Sequence, residues 1–106
     1  HEEFWVLYLN ASNKILDRVR ISQGGVTGTV VDYKLIVKRA VERLAQGILL
    51  VHNHPSGNPL PSDADTLITE KLVRAASLFE ITVADHVIIT SGECYSFRSH
   101  GFFDRL

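Results

Sequence analysis

The chain has 106 residues and a mass of 11.8 kDa, enough for one domain with one core and too little for a second. Hydrophobic residues at 45% and charged residues at 22% exclude a disordered or collagen-like chain, and 11 basic against 12 acidic side chains, a net charge of -1, exclude a general field for phosphate backbones or anionic lipid. The lone cysteine, Cys94, cannot close an internal disulfide, which excludes the framework of a small secreted domain and makes the reducing cytoplasm the expected location.

The chain opens on His1 and enters an apolar run with no charged leader, the aspect of a single domain, residues 1–106, excised from a longer protein. Residues 4–9 are aromatic and branched, and 14–21 alternate around Ile15, Val19 and Ile21, with turn chemistry at 10–13 between them; an antiparallel hairpin is expected. The stretch Gly24-Gly25-Val26-Thr27-Gly28-Thr29 lacks the following Lys-Ser or Lys-Thr of a phosphate-cradling loop and reads as a bend. Ile36, Val37, Ala40, Val41 and Leu44 recur at helical spacing, predicting a helix over about 32–46 with Gly47 as its C-cap.

Residues 48–51 form a continuous apolar run, expected to be a strand buried on both faces and ending at His52. Segment 53–61 holds three prolines and is an ordered loop. A second helix begins near Ser62 with an apolar face of Ala64, Ile68, Leu72, Ala75, Ala76 and Phe79. A strand at 81–90, a turn at Ser91-Gly92-Glu93 and a short strand at 94–97 complete the pattern. No apolar run approaches the roughly 20 residues needed to cross a bilayer, so no membrane partner is expected. The elements make a mixed α/β domain with helices packed on a mixed sheet. Ligands of such sheets gather at the carboxyl ends of strands, and the central strand runs straight into His52-Asn53-His54-Pro55.

Side chains two apart on an extended backbone point the same way, so His52 and His54 can present two imidazoles to one point. Asp65, on the first turn of the second helix, is placed to return its carboxylate to the pair. Two histidines and one carboxylate leave a fourth position for water, the pattern of catalytic zinc. The plain alternative is that the histidines are ordinary polar residues at a strand end and that Ser62 and Asp65 form a helix capping box. Cys94 has no evident histidine partner and reads as a small buried hydrophobe.

The run Ile48-Leu49-Leu50-Val51-His52-Asn53-His54-Pro55-Ser56-Gly57, then Pro61-Ser62-Asp63-Ala64-Asp65, resembles the JAMM motif of the JAB/MPN metalloprotease superfamily in its RadC branch. Segment 4–10, Gly28-Thr29, Asp85-His86 and Tyr95-Ser96-Phe97 extend the resemblance over nearly the whole chain. The chain departs from it at Tyr33-Lys34-Leu35, where many members read Pro-Arg-Glu.

The resemblance implies a three-layer α/β/α fold related to cytidine deaminase, with one Zn2+ per chain held by His52, His54 and Asp65. It implies Ser62 as a donor to the oxyanion or the water, and a Glu at the start of the first strand as general base. Glu2 is favoured over Glu3, which points to the opposite face once the strand has begun. Asp85 and His86 are either orienters of a ligand histidine or a buried structural pair. The implied activity is a zinc-dependent hydrolase acting on a peptide or an isopeptide-linked protein. The alternative is a non-catalytic module, linked to DNA repair, that binds DNA or a protein; Lys38, Arg39 and Arg43 on the first helix would supply its basic patch.

Overall fold

The computed structural model describes residues 1–23 and 31–106, so the glycine-rich segment 24–29 lies outside the described residues. The elements are β1 (Glu3–Leu9), β2 (Ile15–Gln23), α1 (Tyr33–Glu42), β3 (Gly47–Asn53), α2 (Asp63–Ser77), β4 (Thr82–Ile89), β5 (Cys94–Ser96) and a closing 3-10 turn, Phe103–Arg105. The sheet order is β2-β1-β3-β4-β5. Its pairs are antiparallel except β3 with β4, which α2 joins as a parallel crossover. The expected mixed α/β class and the opening hairpin are present.

Period-two alternation turns Phe4, Val6 and Tyr8 of β1, with Ile48, Leu50 and His52 of β3, toward one face, where all six are buried. Against them α1 packs Ile36, Val37 and Ala40 and α2 packs Leu72 and Ala76, all in one cluster. The two helices also touch each other. The Tyr8 hydroxyl donates to the Ile36 carbonyl at 3.0 Å, and burial pushes this phenol up to about 12. Both helices therefore cover the same face, and the described residues form two layers rather than the expected three. Trp5, Leu7, Leu49, Val51 and Val87, on the other face, are only half-buried. The apolar run 48–51 is thus fully buried on one side, not two.

Helix α1 starts at its Asp32 cap, whose carboxylate accepts from Lys34 and Leu35 N–H. It ends earlier than its apolar spacing predicts. Leu44 takes φ 53°, its N–H bonds the Val41 carbonyl, and Ala45 N–H bonds the Ala40 carbonyl at 2.9 Å. This is a Schellman closure built without glycine, and Gly47 instead opens β3. Leu44 is 83% exposed, so its side chain returns little packing for the left-handed backbone. Leu44→Gly is expected to stabilise the fold by about 1 kcal/mol, read as a higher urea midpoint with unchanged slope.

Helix α2 buries Asp65, Thr69, Leu72 and Ala76, while Ala64 and Phe79 of the expected apolar face are exposed. Its inner stripe begins polar because its first two turns meet the site rather than the core. In β4 a one-residue irregularity falls at Ala84: Ile48 pairs with Val83 but Leu49 with Asp85. Both Val83 and His86 consequently face the helices and are buried. Arg98 covers this bulge, its guanidinium donating to the Ala84 and Val83 carbonyls and lying 4.8 Å over the Phe103 ring. Cys94, expected to be buried, is exposed at the start of β5, because β5 is a three-residue edge strand.

Candidate metal centre

Four segments meet at the carboxyl end of β3. Because β1 runs antiparallel to β3, its start lies beside His52, as the Phe4–His52 pair records. Helix α2 begins just after the proline-bearing loop and delivers Asp65 from its third residue. Ser62 caps it in a full capping box: Ser62 Oγ accepts Asp65 N–H at 3.1 Å and Asp65 Oδ2 accepts Ser62 N–H at 2.8 Å. The loop turns tightly through Gly57, at φ 87°, which returns the Asn58 carbonyl to within 2.9 Å of His54 Nδ1. His52 Nε2 and His54 Nε2 lie 2.9 Å apart, and the Asp65 carboxylate approaches them at 3.3 and 3.2 Å.

The hydrogen bonds around this cluster set the tautomers that its imidazoles take when neutral, as they must be to hold a metal. His54 Nδ1 faces a carbonyl, which only accepts, so Nδ1 carries the proton and Nε2 is bare. Thr69 gives its hydroxyl proton to the Asp65 carbonyl at 2.7 Å and must therefore accept from His86 Nδ1 at 2.6 Å. His86 Nε2 is then bare and accepts from His52 Nδ1 at 2.8 Å, which leaves His52 Nε2 bare as well. Two imidazole lone pairs and a carboxylate are thus aimed at one another. Such a donor set repels itself unless a cation lies among its members, and so it fits a metal ion.

Aromatic rings hold the imidazoles in place. Phe4 stacks on His52 at 5.2 Å and Phe97 on His86 at 4.5 Å, and both histidines are buried. Burial, helped by charge at His52, pushes His86 down to about 3. For Asp65 burial acts upward, but in the metal-free cluster the bond that a proton on His52 Nε2 makes to the carboxylate, with that from the Ser62 N–H, outweighs it and holds the carboxyl well below the usual range. Both shifts have one sign for stability without metal. Unfolded His86 binds a proton near 6.5 and the folded ring refuses it, so stability falls as pH drops below 6.5 toward about 3. Asp65 adds to the loss below about 4. Unfolding free energies from urea melts in chelator at pH 7.5, 6 and 5 should decline, with a slope approaching about 1.4 kcal/mol per pH unit; a flat profile contradicts the assignment.

The two candidate glutamates separate cleanly. Glu2 Oε2 lies 3.9 Å from His52 Nε2, and Glu2, His52 and His54 offer ligand atoms within 4.8 Å of one another, so this cluster can hold a metal ion. Glu3 turns away, accepting the Trp5 indole N–H at 2.9 Å and lying 4.0 Å from Arg20. Asp85 touches no candidate ligand. Its carboxylate accepts from Ser96 Oγ and the N–H groups of His86 and Arg98, fastening the C-terminal segment to β4. His86 does reach His52, so the expected Asp-His pair divides into a clamp and a neighbour of the site. Arg39 and Arg43 both donate to Asp17 Oδ2, at 2.7 and 3.1 Å, and these bonds, Arg39 first, hold the Asp17 carboxyl below its usual range. Two of the three charges of the expected basic patch are therefore already paired.

Sequence reasoning missed Thr69 and Asn58. Thr69 was signalled only as a polar residue four after Asp65 on the inner stripe; Asn58 acts through its carbonyl, which any residue there would offer. The most apolar groove among the described residues, about 470 Å3 between Val37, Val41, Ala75, Leu78 and Phe79, holds none of these side chains.

The family model for the RadC-like JAB domain matches residues 1–102. The chain belongs to the RadC-like JAB domain family. A UPF0758 protein of Flavobacterium johnsoniae is 48% identical over 103 residues, 97% of this chain and 45% of its own length. The UPF0758 protein YfjY of Escherichia coli strain K12 is 43% identical, over 94% of this chain and 62% of its own. A UPF0758 protein of Porphyromonas gingivalis is 45% identical, over 94% and 44%. The RadC-like JAB domain thus spans about half the length of the curated relatives it matches. Among the described residues no helix is long and apolar enough to cross a membrane.

Proposed function

We propose that the chain is a zinc-dependent hydrolase of amide bonds in a peptide or an isopeptide-linked protein, with His52, His54 and Asp65 as metal ligands and Glu2 as general base. The observation that carries this reading is the convergence of two imidazole Nε2 atoms and one carboxylate, each locked from behind by a hydrogen bond. Asp65 suits a ligand better than Glu2 because it is nearer both nitrogens and its side chain is 9% exposed against 40% for Glu2. A zinc ion bound there supplies Lewis acidity, easing deprotonation of a water and polarising a carbonyl.

The chain's own groups divide the remaining work. Glu2, at the solvent side of His52, accepts the proton of the attacking water and returns it to the leaving amine. Ser62 Oγ accepts the Asp65 N–H and keeps its own hydrogen, which is free to donate to the developing oxyanion. With a zinc ion held there, the Nε2 lone pairs of His52 and His54 would be engaged as ligands, which would leave Glu2 as the proton acceptor.

The test joins metal content to turnover. Protein purified without chelator should carry near one zinc per chain and release fragments from a peptide or isopeptide library, and Glu2→Gln should keep the zinc and lose the turnover. Zinc-loaded protein that cleaves nothing, yet binds DNA in a salt-dependent manner with or without metal, would favour the non-catalytic module instead. The pairing of Arg39 and Arg43 with Asp17 supports the hydrolase reading over that module.

A further inference from the structure

We infer that Asn53, between the two candidate ligand histidines, is the positioning residue for Glu2; this rests on the reading of Glu2 as the base. The ladder between β1 and β3 begins at the Phe4–His52 pair, so His1 and Glu2 precede it. Asn53 extends that ladder with its side chain. Its Oδ1 accepts the Glu3 N–H at 2.6 Å and its Nδ2 donates to the His1 carbonyl at 2.9 Å. One primary amide thus pairs the backbone on either side of Glu2, as an opposing strand residue would.

The consequence follows from alternation. With the peptide units flanking Glu2 held, its side chain falls on the face opposite that of Glu3, which is the face of His52. Without Asn53 the two hydrogen bonds between its amide and the backbone flanking Glu2 vanish, ahead of the point where the β1–β3 ladder begins. Asn53 itself leaves β3 on the face opposite to His52 and so fixes the base without occupying the site. Only an amide makes both bonds, since a carboxylate accepts but does not donate, and a serine has one proton and a shorter reach.

The test reads the position of Glu2, not turnover. In metal-free protein, proton–proton contacts by NMR between the Glu2 side chain and the His52 ring are expected in the parent and absent in Asn53→Ala, with loss of Glu3 amide protection. With cobalt loaded, the Glu2 side-chain signals should be strongly broadened in the parent and recover several-fold in Asn53→Ala. The His52 and His54 signals and the cobalt content should stay the same in both. Unchanged Glu2 contacts and broadening in Asn53→Ala overturn the inference. If Asn53→Ala does not fold, Asn53→Asp serves: it keeps the acceptor for Glu3 and loses the donor to His1, so Glu3 protection should persist while the Glu2 contacts weaken. Failure of the parent to take cobalt would sink the metal reading alone, since the metal-free contacts still decide the role of Asn53.

Discussion

Asp65→Ala protein purified without chelator is expected to carry almost no metal, where the parent carries near one ion per chain. Removing a partner behind a ligand costs roughly 10–100-fold in affinity, and removing one of three ligands costs more than that. The variant also loses the acceptor for the Ser62 N–H, so the capping box opens and α2 loses about 1 kcal/mol at its start. Asp65→Asn separates the two effects. Its amide oxygen still accepts from Ser62, so urea midpoints in chelator should stay closer to the parent, while the lost charge should still cut metal affinity sharply. Retention of metal by Asp65→Ala would show that Glu2 completes the ligand set with His52 and His54, as its 3.9 Å approach allows, and would leave the site without its base.

The second large effect is expected at Thr69, which touches neither His52 nor His54. Thr69→Val preserves shape in a fully buried position but removes a hydroxyl that serves two neighbours. The Asp65 carbonyl keeps its helical partner, the backbone N–H of residue 69, but His86 Nδ1–H is left unpaired, at a cost of about 1–3 kcal/mol. His86 can relieve this by moving its proton to Nε2. That change turns a donor toward the Nδ1–H of His52 and drives the His52 proton to Nε2, the atom needed for metal. Metal affinity should therefore fall about 10–100-fold without any change of ligand. Nitrogen-15 shifts of His52 and His86 read the tautomers directly. If they match the parent, the relay does not set His52, and the stability loss alone would remain.

Much of the site is legible in the sequence because it depends on short-range geometry. His52 and His54 follow from the period of a strand, and Ser62 and Asp65 from the spacing of a helix start. Glu2 could be preferred to Glu3 by the same alternation. What was hidden depends on elements remote in sequence. The tautomer of His52 is decided by Thr69 on a helix and His86 on another strand. The helix ends were hidden because Leu44 and Glu80 adopt the left-handed conformation that glycine signals. Periodicity states that a helix has an inner face but not which side of the sheet it covers, and so the number of layers was misjudged. Asp85 and His86 are neighbours in the chain, and only the structure gives them different roles.

The bulge at Ala84 gives β4 two parities. Val83 belongs to the core and His86 to the site, three residues apart on a strand whose faces repeat every second residue; a regular strand can satisfy one of them but not both. Deleting Ala84 would restore regularity and force a choice. Either Val83 leaves the core, or the imidazole of His86 turns to the open face and the valine after it takes its place behind His52. A residue that is neither a candidate ligand nor one of the buried core thus allows a hydrophobic interior and a polar centre to share a single strand.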